Sequence, residues 1–172
     1  VPYRGIRHTP DTRMRHGIGM PLRIAVDDLS GAPTRALIAT HLAAMHENTP
    51  PESVHALGLS ALMQPEITVW SAWQDDTLVG VGALKQLGPT RGEIKSMRVD
   101  DRFRGTGAGR ALLRHISAAA AARGIVSLWL ETGSGRDFAP ARGLYASEGF
   151  VECEPFDGYV HDPHSTFMMR EL

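Results

Sequence analysis

A chain of 172 residues can fill one core well but scarcely two, so a single domain with one active site is expected. Eighteen Lys and Arg against nineteen Asp and Glu leave a formal charge of -1, which excludes a broad electrostatic footprint for nucleic acid or an anionic membrane. The single cysteine, Cys153, excludes an intrachain disulfide framework and paired-cysteine zinc motifs, and no apolar run approaches the roughly 20 residues that span a bilayer, so a soluble cytoplasmic protein is expected.

Residues 1–20 carry Arg4, Arg7, Arg13 and Arg15 among scattered Pro, Gly and His, without periodicity or an apolar signal core. They are expected to be a disordered arm or a cloning remnant, with the folded domain over 21–172. Leu22 to Val26 reads as a strand, and Thr34 to Met45 as a helix through the spacing of Leu37, Ile38, His41, Leu42 and Met45. His46 to Gln64 is broken by Pro50, Pro51 and Gly58 into short helices and loop. Ile67 to Ala72 and Thr77 to Leu84 are β-rich and joined by Gln74-Asp75-Asp76, the pattern of an antiparallel hairpin. In the next strand, Glu93 to Val99, the apolar residues Ile94, Met97 and Val99 break strict alternation, as an extra residue in a β-bulge would make them do.

A helix follows, with Leu112, Leu113, Ile116, Ala119 and Ala120 on one face and Arg123-Gly124 as its stop. Ile125 to Leu130 has the composition of a buried strand. The last helix is expected to be capped by Asp137, to hold Pro140 in its first turn, to turn Ala141, Leu144 and Tyr145 inward and to stop at Gly149. Strands at Phe150 to Glu154 and Thr166 to Arg170 complete an α/β order with a mixed sheet.

Between a strand ending at Val99 and a helix opening near Gly109 lies Arg104-Gly105-Thr106-Gly107-Ala108-Gly109. Glycines let backbone amides approach a ligand, and a helix N-terminus adds unpaired N–H groups and partial positive charge, a combination suited to phosphate. Arg102, Arg104 and Arg110 add forked donors for a di-anion. A Walker A loop is excluded, because Gly109 is followed by Arg110-Ala111 instead of Lys-Ser/Thr. A dinucleotide loop is a closer rival, since Glu131 ends the next strand near where a ribose hydroxyl would be bound. Against it, the preceding strand carries Glu93, Lys95, Ser96 and Arg98, too polar for a strand buried on both faces, and the glycine spacing differs.

Met97-Arg98-Val99, followed after a short polar connection by Arg104-x-x-Gly107-x-Gly109, resembles the acyl-CoA signature of the GNAT acetyltransferase superfamily. Ala141-x-x-Leu144-Tyr145-x-x-x-Gly149-Phe150 is similar to that family's second signature, and the resemblance covers about 150 residues. Gly92 to Arg98, Leu130 to Gly133 and Phe138 to Arg142 look more narrowly like the YsnE-like branch. The chain departs from the family at Phe138, where many members have a pantetheine-binding asparagine, and at Asp101, where a proline is common.

The resemblance implies a GNAT fold: a mixed, largely antiparallel sheet of six to seven strands flanked by helices, with a splayed, bulged strand at the acyl-CoA site. It implies acetyl-CoA as cosubstrate, held by Met97, Arg98 and Val99 and by Arg104, Gly105, Thr106, Gly107, Ala108, Gly109 and Arg110, and direct attack by a primary amine of a small molecule or amino acid. Tyr145 would protonate the departing thiolate, in competition with a purely structural role as a buried aromatic. The base is Glu93 or, less favoured, Glu131, each able instead to form a simple salt bridge with Lys95 or Arg136. By analogy, His46, Glu47, His55 and Tyr159 line the acceptor pocket, where acidic residues would favour a cationic amine and Arg98 or Arg142 a carboxylate. No metal is expected, because the histidines, His41, His46, His55, His161 and His164 among them, lack ligand spacing. No nucleic-acid or membrane partner is expected, and a homodimer stays open. An acyl-CoA-binding module without turnover and a nucleotide-dependent oxidoreductase are the alternatives.

Overall fold

The computed structural model describes residues 21–172, so the expected arm at 1–20 lies outside the described residues. In chain order the elements are β1 (Arg23–Val26), α1 (Ala32–Asn48), a 3-10 turn (Pro51–Ser53), α2 (Leu59–Leu62), β2 (Ile67–Gln74), β3 (Thr77–Gln86), β4 (Arg91–Val99), α3 (Ala108–Ala122), β5 (Ser127–Gly133), α4 (Ala139–Ser147), β6 (Val151–Glu152) and β7 (Ser165–Glu171). The strands form one seven-stranded sheet in the order β1-β2-β3-β4-β5-β7-β6. Every neighbouring pair is antiparallel except β4 and β5, which the crossover through α3 makes parallel. The β2–β3 hairpin closes on Asp75-Asp76, and Asp75 takes the left-handed conformation (φ 52°) that aspartate tolerates.

Side chains alternate across the sheet and build one core on each face. On one face α3 and α4 bury Leu112, Leu113, Ile116 and Tyr145 against Trp70, Leu84, Ile94, Leu128 and Leu130. On the other, Leu37 and Ile38 of α1 and Leu62 of α2 cover Val69, Val81 and Ala83. No helix among the described residues is long and apolar enough to cross a membrane.

The bulge lies where the broken alternation puts it. Ala83 pairs with Lys95 but Val81 pairs with Arg98, so β4 carries one residue more than β3 over this interval, and Ser96 turns to φ 53° to accommodate it.

Two expectations need correction. Asp137 does not cap α4. A 3-10 turn, Arg136–Phe138, runs into the helix, and its N-cap is Phe138, already in a helical conformation (φ −93°, ψ −3°) with no side-chain cap bond. The extended residue that a capping carboxylate needs is missing there. Of the expected Phe150 to Glu154 strand, Val151 and Glu152 form the ladder with β7, through Met169 and Met168, and Cys153 adds one bond, its N–H to Phe167 O at 3.0 Å. Phe150 is drawn into the core against Tyr145, so burial of its ring takes it out of the ladder.

Candidate active site

The parallel β4–β5 ladder ends at the pair Ile94 and Leu130. Beyond it β4 runs on to Val99 paired only with β3, while β5 runs on to Gly133 paired only with β7. The sheet therefore opens between them into a mouth bordered by main chain. Met97 and Val99 turn their side chains toward α3: a Cβ on Gly82 would meet the Met97 sulfur, and one on Gly109 would touch Val99 and Leu144 at 3.4 Å. Arg98 points to the opposite face. Its Nη2 donates to Asp101 Oδ1 at 3.0 Å and its Nε is buried with no partner among the described residues. Nearby His41 is held neutral, since burial and then the Arg98 charge lower its pKa to about 4.

The glycine loop meets α3 at the end of β4. Gly105 (φ 74°) and Gly107 (φ 88°), the α3 N-cap, are left-handed, and a Cβ at either would project into open space. Two loop amides are used internally, Arg104 to Asp101 O and Thr106 to Phe103 O, both at 3.4 Å. The first helical bond is Ala111 N–H to Gly107 O, so Ala108, Gly109 and Arg110 keep the free amides of a helix start. The arginines read as donors for a di-anion have carboxylate partners: Arg102 binds Asp100 at 2.9 Å, Arg104 binds Asp101 at 2.7 Å and Arg110 binds Glu148 at 2.8 Å. Phe138 packs its ring onto Gly133, where any β-carbon would collide with it.

On the α1 side of the mouth stands a closed polar triad. Glu93 is 2% exposed, and its Oε1 accepts from Tyr159 Oη at 2.6 Å and from Lys95 Nζ at 2.9 Å, while Lys95 also donates to Tyr159 Oη at 2.8 Å. Burial, then the Glu93 charge, pushes the Tyr159 hydroxyl well above the usual phenol range, so it stays a donor. Phe156 and Phe167 pack beside the Tyr159 ring, with centroids at 5.1 and 5.4 Å, and His55 meets it edge-on at 5.0 Å. The structure thus brings Glu93, Tyr159 and His55 together. His46 and Glu47 are exposed on the last turn of α1.

Glu131 accepts a hydrogen bond from Ser165 Oγ at 2.7 Å, not from Arg136. Burial is the main cause that raises its carboxyl pKa, and the Glu93 charge adds to it. Tyr145 is buried in the α4 face; desolvation first, then the Glu131 charge, drives its hydroxyl far above the ordinary range. Sequence reading gave Lys95 only as a surface partner and missed Ser165. The period-two alternation of β4 does put positions 93 and 95 on one face, but the β7 register that delivers Ser165 has no local signal.

The triad makes a stability prediction. Lys95→Met leaves a buried carboxylate without its cation and should cost about 3–5 kcal/mol. Adding Glu93→Gln should restore most of that loss, and urea unfolding of the single and double variants checks it. Equal stabilities for Lys95→Met and the parent would contradict the pairing.

Comparison with known proteins fits this geometry. Residues 35–150 match the acetyltransferase (GNAT) family. The chain is 50% identical over 151 residues to the uncharacterized N-acetyltransferase YsnE of Bacillus subtilis (strain 168), covering 88% of this chain and all of that protein. Among solved structures it superposes at a TM-score of 0.72 and 28% identity on a Klebsiella pneumoniae chain described as an acyl-CoA N-acyltransferase, over 88% of this chain and 97% of that one. It shares its fold with a GNAT acetyltransferase of Elizabethkingia anophelis solved with acetyl-CoA bound, at a TM-score of 0.59 and 16% identity over 88% and 98% of the two chains. With a family model matched over more than half its length and a full-length relative at 50% identity, the chain belongs to the GNAT family of acetyltransferases, in its YsnE-like branch.

Proposed function

We propose that the chain transfers an acetyl group from acetyl-CoA to a primary amine of a small molecule by direct attack, and that residues 21–172 act as one catalytic domain. The observation that carries this reading is the mouth between β4 and β5, with the free amides of the α3 start beyond one rim and the buried Glu93 on the opposite face. A diphosphate suits the glycine loop: Gly105 and Gly107 leave open space on its outer side, and Ala108, Gly109 and Arg110 offer unpaired N–H groups. The acetyl-CoA seen in the Elizabethkingia relative supports the same guest here. When bound, that cosubstrate supplies an acetyl group activated as a thioester.

The chain's own groups then do the following. The β4 main chain at Met97 to Val99, free of β5, orients the acyl group and offers amide donors to its carbonyl oxygen. An alkyl amine with a pKa near ~10 arrives protonated at neutral pH, and Glu93 takes that proton. Tyr145 keeps its proton because it is buried, and it gives that proton to the departing sulfur.

The reading is tested by thiol release from acetyl-CoA with a panel of primary amines; CoA binding without release under any amine would favour a binding module instead. For Tyr145→Phe, turnover should fall by roughly tenfold to a hundredfold while CoA affinity changes by less than about threefold. Calorimetry and initial rates separate the two, and an unchanged kcat would leave Tyr145 a packing residue.

A further inference from the structure

Three cations near the mouth could meet a carboxylate on an acceptor, and each already has a protein partner. Arg98 donates to Asp101 at 3.0 Å. Arg142 Nη1 donates to the carbonyls of Gly133 at 2.6 Å and Gly135 at 2.9 Å, tying the β5–α4 connection together. Lys95 is held by Glu93 and Tyr159.

The acidic side is balanced differently. Lys95 and Glu131 are the first residues past the last β4–β5 pair, Ile94 and Leu130, whose side chains belong to the α3-side core. Alternation therefore puts Lys95 and Glu131 on the α1-side face, on opposite rims of the mouth, in line with Glu93. Glu131 makes one neutral hydrogen bond, to Ser165, and no cation lies within ion-pair distance of it among the described residues. The charged and titratable groups that act on it are His55, Lys95 and Glu93. Since Glu93 is the ion-pair partner of Lys95, Glu131 is the carboxylate at the mouth without an ion-pair partner of its own among the described residues.

We infer that Glu131 determines acceptor specificity: resting on the acetyltransferase reading above, the amine substrate carries a second cationic nitrogen, as a linear diamine does, and Glu131 holds that nitrogen while Glu93 faces the one that reacts. The reacting nitrogen bonds to the thioester carbon as the C–S bond breaks. Of the two protons it loses, one leaves through Glu93 to solvent and the other ends on the CoA sulfur. Amino acids are the disfavoured class, because their carboxylate meets the like charge of Glu131, beside which no cation lies within ion-pair distance among the described residues.

The test compares acceptors of one carbon skeleton, butane diamine, butylamine and aminobutyrate, by thiol release from saturating acetyl-CoA. The parent enzyme should prefer the diamine over butylamine by roughly tenfold or more in kcat/KM, with aminobutyrate the poorest. In Glu131→Gln the ratio of diamine to butylamine should collapse toward one. Thiol release in which aminobutyrate equals or exceeds the diamine would overturn this inference and leave the acetyltransferase reading standing, as would a ratio unaltered in Glu131→Gln. The parent ranking needs no variant, so a poorly folded Glu131→Gln still leaves a decisive result. Absence of release with all three amines while another primary amine of the panel reacts would overturn this inference alone, whereas absence of release with every amine, when CoA is bound, would overturn the acetyltransferase reading.

Discussion

Glu93→Gln should lower kcat/KM for an amine acceptor by roughly 10²–10⁴-fold at neutral pH, the range for loss of a general base. Glutamine keeps the shape of the side chain and an acceptor oxygen for the Tyr159 hydroxyl, which reaches Glu93 at 2.6 Å, although it leaves Lys95 without its buried counter-charge and should lower stability by the same argument as Lys95→Met. What disappears is the ability to take a proton. The variant then depends on the small fraction of amine already unprotonated, which grows about tenfold per pH unit below an amine pKa of ~10. Its deficit should therefore shrink as pH rises, whereas a variant impaired by misfolding would show no such recovery. Initial rates over a pH series, with a melting curve at each pH, separate these outcomes. An unchanged neutral rate would remove Glu93 from the chemistry.

Gly107→Glu should weaken CoA binding by roughly a hundredfold or more while the fold persists. At φ 88° the N-cap of α3 is left-handed, so any side chain costs about 1–2 kcal/mol in backbone strain. For a domain of this size that lowers Tm by about 2–8 °C. The new side chain enters open space, so it disturbs no packing, but it carries a negative charge to the helix start where a diphosphate would sit. Gly107→Ala provides the strain without the charge and should keep most of the affinity. Titration calorimetry of both variants checks the prediction, and equal affinities for Gly107→Glu and the parent would relocate the cofactor.

Much of this architecture can be read locally. The bulge follows from the spacing of Ile94, Met97 and Val99, and the loop from glycines between a strand end and an amphipathic helix. Both are short-range patterns, and the register shift at Ala83 and Lys95 and the helix start at Ala108 match them. The expected surface bridge from Lys95 to Glu93 is a bridge, but a buried one, because Tyr159 arrives from 64 residues away and closes over it. No pattern around Glu93 announces that loop. Asp137 fails as a cap because the conformation of Phe138, set by packing on Gly133, starts the helical path early. Arg142, read as a candidate for a substrate carboxylate, is tied instead to two carbonyls that only the folded β5–α4 turn brings within reach.

The central claim, that the loop at 104–109 and the mouth beside it receive CoA, is tested most directly by thermal melting of the full chain with CoA, acetyl-CoA or NADPH. A ligand at 100 times its dissociation constant adds about 2.7 kcal/mol, which is about 5–10 °C in Tm for a chain of this length. CoA and acetyl-CoA should each raise Tm by that amount with NADPH inert. A rise with NADPH and none with either CoA species would contradict the account.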